Sequence, residues 1–140
     1  IYFKKNLIKK IINNKKNDTL ILPVLKNWQK IWKIRKQNIL EDAETLELDK
    51  YKNLKSIGQK INNLKNVDGQ FMGVLYIPKK LVKNLLNICT KNNFSNLDIT
   101  TFLNLIKDQI KIKCFFYYGH WYEFDNYIDY VEYKKEFNIK

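Results

Sequence analysis

The apolar residues of this chain change period several times between helical and strand spacing, and that alternation restricts the architecture more than any other feature. Within residues 1–16, Phe3, Leu7, Ile8, Ile11 and Ile12 recur at the intervals of an amphipathic helix, and the polar stretch 13–18 ends it. Residues 19–25 then form a short apolar run of strand length. Pro23 within it suggests an edge strand or a strand end, because proline cannot donate to a ladder. In 27–40 the spacing of Trp28, Trp32 and Arg35 puts all three on one face of a helical turn. From Ala43 the period shortens to two. Residues 45–49 and 54–58 read as a hairpin turning at 50–53, and 71–77 as a third strand. Pro78 stops that strand and opens a helix over 80–89. Asp98 is placed to N-cap a helix over 100–109 with Phe102, Leu105 and Ile106 as its buried face. A strand over 110–118, a short one over 121–124 and a closing helix over 127–137 complete the chain. Helices interleaved with strands imply an α/β fold, a mixed sheet with flanking helices. No repeat or linker divides it, so one structural unit is expected.

Composition narrows the class. A chain of 140 residues with 45% hydrophobic and 14% aromatic residues can bury a core. No apolar run reaches the ~18 residues of a membrane span, and no signal-peptide pattern opens the sequence. A soluble, cytoplasmic protein is the expectation. The formal charge of +12 invites a nucleic-acid partner, but Arg35 is the only arginine and Ala43 the only alanine, beside 18 Asn and 18 Ile. Lysine, asparagine and isoleucine have A/T-rich codons, so coding bias accounts for the excess. Nucleic-acid readers also use arginine, whose planar fork matches phosphate and guanine edges. No nucleic-acid partner is therefore expected, although the lysines could concentrate a phosphorylated substrate. Cys89 and Cys114 support neither a disulfide framework nor a zinc site. Glycine-rich dinucleotide and phosphate loops are absent. His120, the lone histidine, reads as a partly buried turn residue rather than a catalytic base.

The segment 119–125 carries more chemistry. If 121–125 is extended, Trp121, Glu123 and Asp125 share one face, and Tyr122 and Phe124 turn into the core from the other. Two carboxylates would then project together at a strand's C-terminal end, where open α/β sheets build their sites, and would suit Mg2+. Alternatively Glu123 is solvated and Asp125 caps the last helix. Spacing leaves both readings open.

Six pieces in fixed order carry a resemblance: Trp28-(x3)-Trp32-(x2)-Arg35, Asp42-Ala43-Glu44-Thr45, Ile57-Gly58, Gly69-Gln70-Phe71-Met72-Gly73, Asp98-Ile99-Thr100-(x2)-Leu103, and Trp121-Tyr122-Glu123-Phe124-Asp125-(x3)-Asp129. Over residues 28–129 the chain resembles the C-terminal part of the small nucleotidyltransferases that activate phosphocholine, aminoethylphosphonate or related head groups. These are close to the nucleotidyltransferase domains associated with phosphoenolpyruvate phosphomutase. The resemblance implies a Rossmann-like nucleotidyltransferase fold and transfer of a nucleotidyl group, often CMP from CTP, to a phosphate or phosphonate with release of pyrophosphate. It implies that Asp125 is the catalytic Mg2+ ligand and that Glu123 faces the cationic head group of the acceptor. Trp28, Trp32 and Trp121 could offer ring faces to an ammonium, each worth about 0.5–2 kcal/mol, or simply pack in the core. Asp42 and Glu44 would line the acceptor pocket, or form a charged loop before a strand.

Members of that family begin with a glycine-rich loop bearing an arginine and a downstream lysine, followed later by a first metal-binding aspartate. None of these has a counterpart here, and Ile1-Tyr2-Phe3-Lys4 matches the stretch just past that aspartate. Residues 1–140 are thus expected to be the C-terminal part of a single nucleotidyltransferase domain, holding the acceptor side and half of the metal site, and inactive alone. The acceptor oxygen is already anionic, so no general base is needed; positioning and charge neutralisation by Mg2+ and basic residues suffice. Two other readings stand beside this one: a sugar-1-phosphate nucleotidyltransferase of the same fold, and a non-catalytic basic module for nucleic acid or anionic lipid. A homodimer is left open.

Overall fold

The structure is a computed structural model that describes residues 1–34 and 39–138, and for Ile34, Glu41, Asp42 and Asn66 the backbone alone. Its elements run β1 (Tyr2–Phe3), α1 (Asn6–Asn14), β2 (Leu20–Leu25), α2 (Trp28–Ile34), α3 (Ile39–Asp42), β3 (Glu44–Leu48), β4 (Leu54–Lys60), β5 (Gln70–Phe71), α4 (Lys79–Asn92), α5 (Ile99–Ile106), β6 (Ile112–Tyr117), β7 (Trp121–Tyr122) and α6 (Tyr127–Glu136). This is a mixed α/β architecture. β2 is its centre, pairing parallel with β6 from Leu20↔Ile112 to Leu25↔Tyr117 and antiparallel with β5. It is apolar from end to end because both of its faces are covered. Leu20, Leu22 and Val24 join Leu46, Ile57, Leu85, Ile88, Leu103 and Ile106 on one side. Leu25 joins Leu7, Ile11, Trp28, Trp32, Tyr117 and Trp121 on the other.

Pro23 does not mark an edge. It pairs with Phe115 in the middle of the central strand, and the reason lies in the alternation of donors. The N–H groups of Leu20 and Lys26 reach Lys111 and Tyr117 on the β6 side, whereas that of Ile21 reaches Tyr76 on the opposite side. Pro23 shares the parity of Ile21, so its missing N–H falls between the Tyr76 bridge and the two β5 pairs, where the ladder is interrupted. The expected strand over 71–77 is shortened for a related reason. Gly73 adopts φ +67, which takes the chain out of the extended region, and only Tyr76 returns to exchange hydrogen bonds with Ile21.

The helix expected over 1–16 begins only at Asn6, because Tyr2 and Phe3 pair antiparallel with Tyr122 and Trp121. That long-range pairing overrides the helical spacing of Phe3. α1 then buries Leu7 and Ile11 and leaves Ile8 and Ile12 exposed. The hairpin is as expected. The Asp49 carboxylate closes its turn by accepting from the Tyr51 and Asn53 N–H groups, each at 2.8 Å, which holds its pKa below the ordinary value with the Asn53 N–H as the leading cause. Asp98 caps α5 as expected, but the buried face is Leu103 and Ile106, with Leu105 exposed. Cys114 lies in the core, where burial pushes its thiol up to about 12, and both cysteines are free. No helix among the described residues is long and apolar enough to cross a membrane.

Candidate functional site

Five separate segments meet at one cleft of about 260 Å³. Its walls are Trp32 from α2, Glu44 at the start of β3, Gln70, Phe71 and Gly73 around β5, Ile99 and Thr100 at the start of α5, and Glu123 just after β7. Several contacts hold these segments in place. Trp28 and Trp32, one helical turn apart, pack edge to face at 5.6 Å, and Trp32 lies parallel to Trp121 at 6.1 Å. The Trp121 indole N–H donates to the Met72 carbonyl at 3.0 Å, fastening the 69–73 segment to β7. The Gln70 side-chain amide donates to the Glu44 carbonyl at 3.3 Å. Gly58 on β4 has φ +80, and a Cβ there would stand 2.7 Å from Thr100 Oγ1, so only glycine lets α5 approach the hairpin this closely.

Asp98 holds the start of α5. Its carboxylate accepts from the Thr101 N–H at 2.9 Å, the Thr101 hydroxyl at 2.7 Å and the Thr100 hydroxyl at 2.8 Å. These donors, the Thr101 N–H first, lower its pKa to about 2.

The expected site residues divide into two groups. Trp32, Glu44 and Glu123 come together in the cleft. Trp28 and Trp121 are 2% and 0% exposed and do not line it; their ring contacts are with Trp32. Trp32 itself is 3% exposed and presents little of its ring. The side chain of Asp42 and all of Arg35 lie outside the described residues.

The run 121–125 is not one strand, since β7 stops at Tyr122 and Trp121 is buried as fully as Tyr122. Glu123 is half-buried at the cleft wall, whereas Asp125 is exposed. The helix cap read for Asp125 belongs to Asn126, whose Oδ1 accepts from the Asp129 N–H at 3.1 Å. Asp129, 2% exposed, reaches back and accepts from the Asp125 N–H at 2.9 Å, a reciprocal arrangement close to a capping box. Asparagine caps as well as aspartate does, and that was the available signal for Asn126. Among the described residues no three His, Cys, Asp or Glu side chains gather as a metal cluster. Asp125 therefore offers one carboxylate and not a finished metal site.

His120 is half-buried, with Nε2 at 2.9 Å from the Tyr133 hydroxyl and its ring against Phe137 at 4.6 Å. Burial first, and then Lys4, lower its pKa, which favours the neutral ring. Sequence reasoning gave no role to Gln70 and Thr100, which line the cleft, or to Gly58, which lets α5 pack close behind it. All three lie inside the six ordered pieces, which was the signal that could have found them.

No protein-family model matches the chain. It is similar to CTP:phosphoglutamine cytidylyltransferase of Campylobacter jejuni, with 29% identity over 135 residues, a match that takes in 89% of this chain and 52% of that protein. The chain thus spans about half the length of the relative it matches, and the likeness is to a cytidylyltransferase, a nucleotidyl-transferring enzyme.

Proposed function

We propose that this chain forms the acceptor-binding part of a CTP-dependent cytidylyltransferase of Rossmann-like fold. The enzyme would transfer CMP to the phosphate or phosphonate oxygen of a small molecule that carries a cationic group. The observation that carries this reading is convergence: five of the six ordered pieces, separated by tens of residues, supply walls of one cleft, and the remaining one, Ile57-Gly58, packs against Thr100 in that wall. Similarity to a protein named as a cytidylyltransferase supports the same chemistry.

In the proposed reaction an acceptor oxygen attacks the α-phosphorus of CTP. A P–O bond forms to the acceptor as the bond to the β-phosphate oxygen breaks, and the electron pair leaves with pyrophosphate. The nucleophile is already an anion, so the chain needs to supply positioning rather than a base. Glu44 and Glu123 suit an ammonium on the acceptor, and Gln70 and Thr100 supply an amide and a hydroxyl beside them. Asp125 would hold Mg2+ together with a second carboxylate, and that ion would offset the negative charge that accumulates around the phosphates.

Pyrophosphate release from CTP by the full-length protein tests the proposal, with phosphocholine, aminoethylphosphonate, phosphoglutamine and a hexose 1-phosphate as acceptors. Turnover with a cationic acceptor is expected, and Asp125→Asn should lower it by about a hundredfold or more. Glu123→Gln should raise the acceptor KM and leave the KM for CTP unchanged. A hexose phosphate as the preferred acceptor, or full turnover in Asp125→Asn, would refute the assignment.

A further inference from the structure

α4 leaves apolar side chains in water on the flank that the sheet does not cover. Leu85 and Ile88 are buried, but Val82 and Leu86 are 43% and 62% exposed. With Ile77, Leu85, Cys89 and Phe102 they line an open groove of about 190 Å³. The charge around it has one sign. Lys79, Lys80, Lys83 and Lys91 all lie exposed on α4, and no aspartate or glutamate occurs from Gly69 to Leu97. At about 100° per residue, Lys79 and Lys83 border the Val82 and Leu86 strip directly. The acids that flank this stretch are engaged elsewhere: Asp68 accepts from the Leu48 N–H at 2.9 Å and Asp98 caps α5. Beyond the end of α5, Asp108 pairs with Lys107 at 3.0 Å.

This combination selects among occupants. A second copy of the chain would set lysines against lysines. A partner helix seated in a groove needs several turns of apolar track, whereas Val82 to Cys89 rises only about 10 Å. An anionic lipid interface needs no more than a few apolar side chains at acyl depth framed by lysines at the headgroups.

We propose that the Val82 and Leu86 flank of α4, bordered by Lys79 and Lys83, docks the protein onto anionic lipid surfaces. This is independent of cytidylyl transfer. The local pattern carries it, not the net charge, which coding bias explains.

Co-sedimentation with vesicles tests it, using phosphatidylcholine alone and phosphatidylcholine with about 30% phosphatidylserine. The protein should bind the mixed vesicles at low ionic strength, bind phosphatidylcholine at least about tenfold more weakly, and be released at about 0.5 M salt. Leu86→Glu should abolish binding, and the milder Leu86→Gln should weaken it several-fold; Leu86 is exposed, and far-UV circular dichroism checks the fold. Lys79→Gln with Lys83→Gln should weaken binding about tenfold, whereas Lys15→Gln with Lys16→Gln, which lie exposed beyond α1, should leave it unchanged. Three results would overturn the proposal: no binding to mixed vesicles, undiminished binding by Leu86→Glu, or equal losses from the two lysine pairs. Binding to an acidic protein but not to these vesicles would do so too.

Discussion

Replacing Trp121 with phenylalanine separates two roles for this side chain, a structural post in the core and a ring face for the substrate. The indole is fully buried, donates to the Met72 carbonyl at 3.0 Å and lies parallel to Trp32 at 6.1 Å. Phenylalanine keeps an aromatic ring but cannot donate, so the Met72 carbonyl is left unsatisfied at a cost of about 1–3 kcal/mol. The smaller ring also weakens the stacking on Trp32, at a cost of up to about 1.5 kcal/mol. Together these come to about 3 kcal/mol, a large share of the roughly 5–15 kcal/mol that holds a domain folded. Urea unfolding followed by far-UV circular dichroism reads this directly. With a slope of about 1–3 kcal/mol per molar, the midpoint should fall by about 1–3 M with the slope unchanged. A shift below about 0.3 M would refute the reasoning, most clearly if acceptor binding weakened at the same time, since the ring would then be acting on a ligand.

Gly58→Ala should destabilise the fold by about 1–3 kcal/mol in the same assay, since it forces a side chain onto φ +80 backbone and into Thr100. Gly58→Asn tolerates that backbone but brings the same Cβ, so it should lose nearly as much; full tolerance of asparagine would show that φ alone requires glycine. The Asp98 cap should depend on pH in one direction. Its folded pKa of about 2 lies below the ordinary value, so its contribution is complete above about pH 4 and fades as pH falls through about 2. The Thr101 amide resonance should track that fall, and Asp98→Asn, a comparable cap without the titration, should remove the dependence.

What the sequence disclosed depended on the range of the interaction. The hairpin, the Asp98 cap and the pairing of Trp28 with Trp32 arise from neighbours within a few residues, and periodicity or side-chain chemistry reveals them. Phe3 has helical spacing and is nevertheless a strand residue, because its partner is Trp121 at the far end of the chain. Pro23 reads as an edge signal until the parity of its N–H and the Gly73 turn are both known, and neither is a local property. At the candidate site, Glu44 and Glu123 were legible as acids in ordered pieces. Their convergence was not, because it depends on Trp32 and Trp121 stacking across the core. Asp125 and Asn126 show the limit of spacing in the other direction: adjacent residues with equal capping ability, separated only by the geometry of the turn.

The pairings of this chain are nested. The β3 and β4 hairpin lies within the span that β2 and β6 enclose, and that span lies within the one closed by β1 on β7. Closing a longer loop costs more chain entropy, and pairings of high sequence separation are the slow ones to form. The inner ladders bring Glu44 and Gln70 into place, but Glu123 hangs from the outermost ribbon. Among the described elements the closing of β1 on β7 is therefore what completes the cleft, and a ligand held between Glu44 and Glu123 would act as a clasp across the longest loop these pairings enclose.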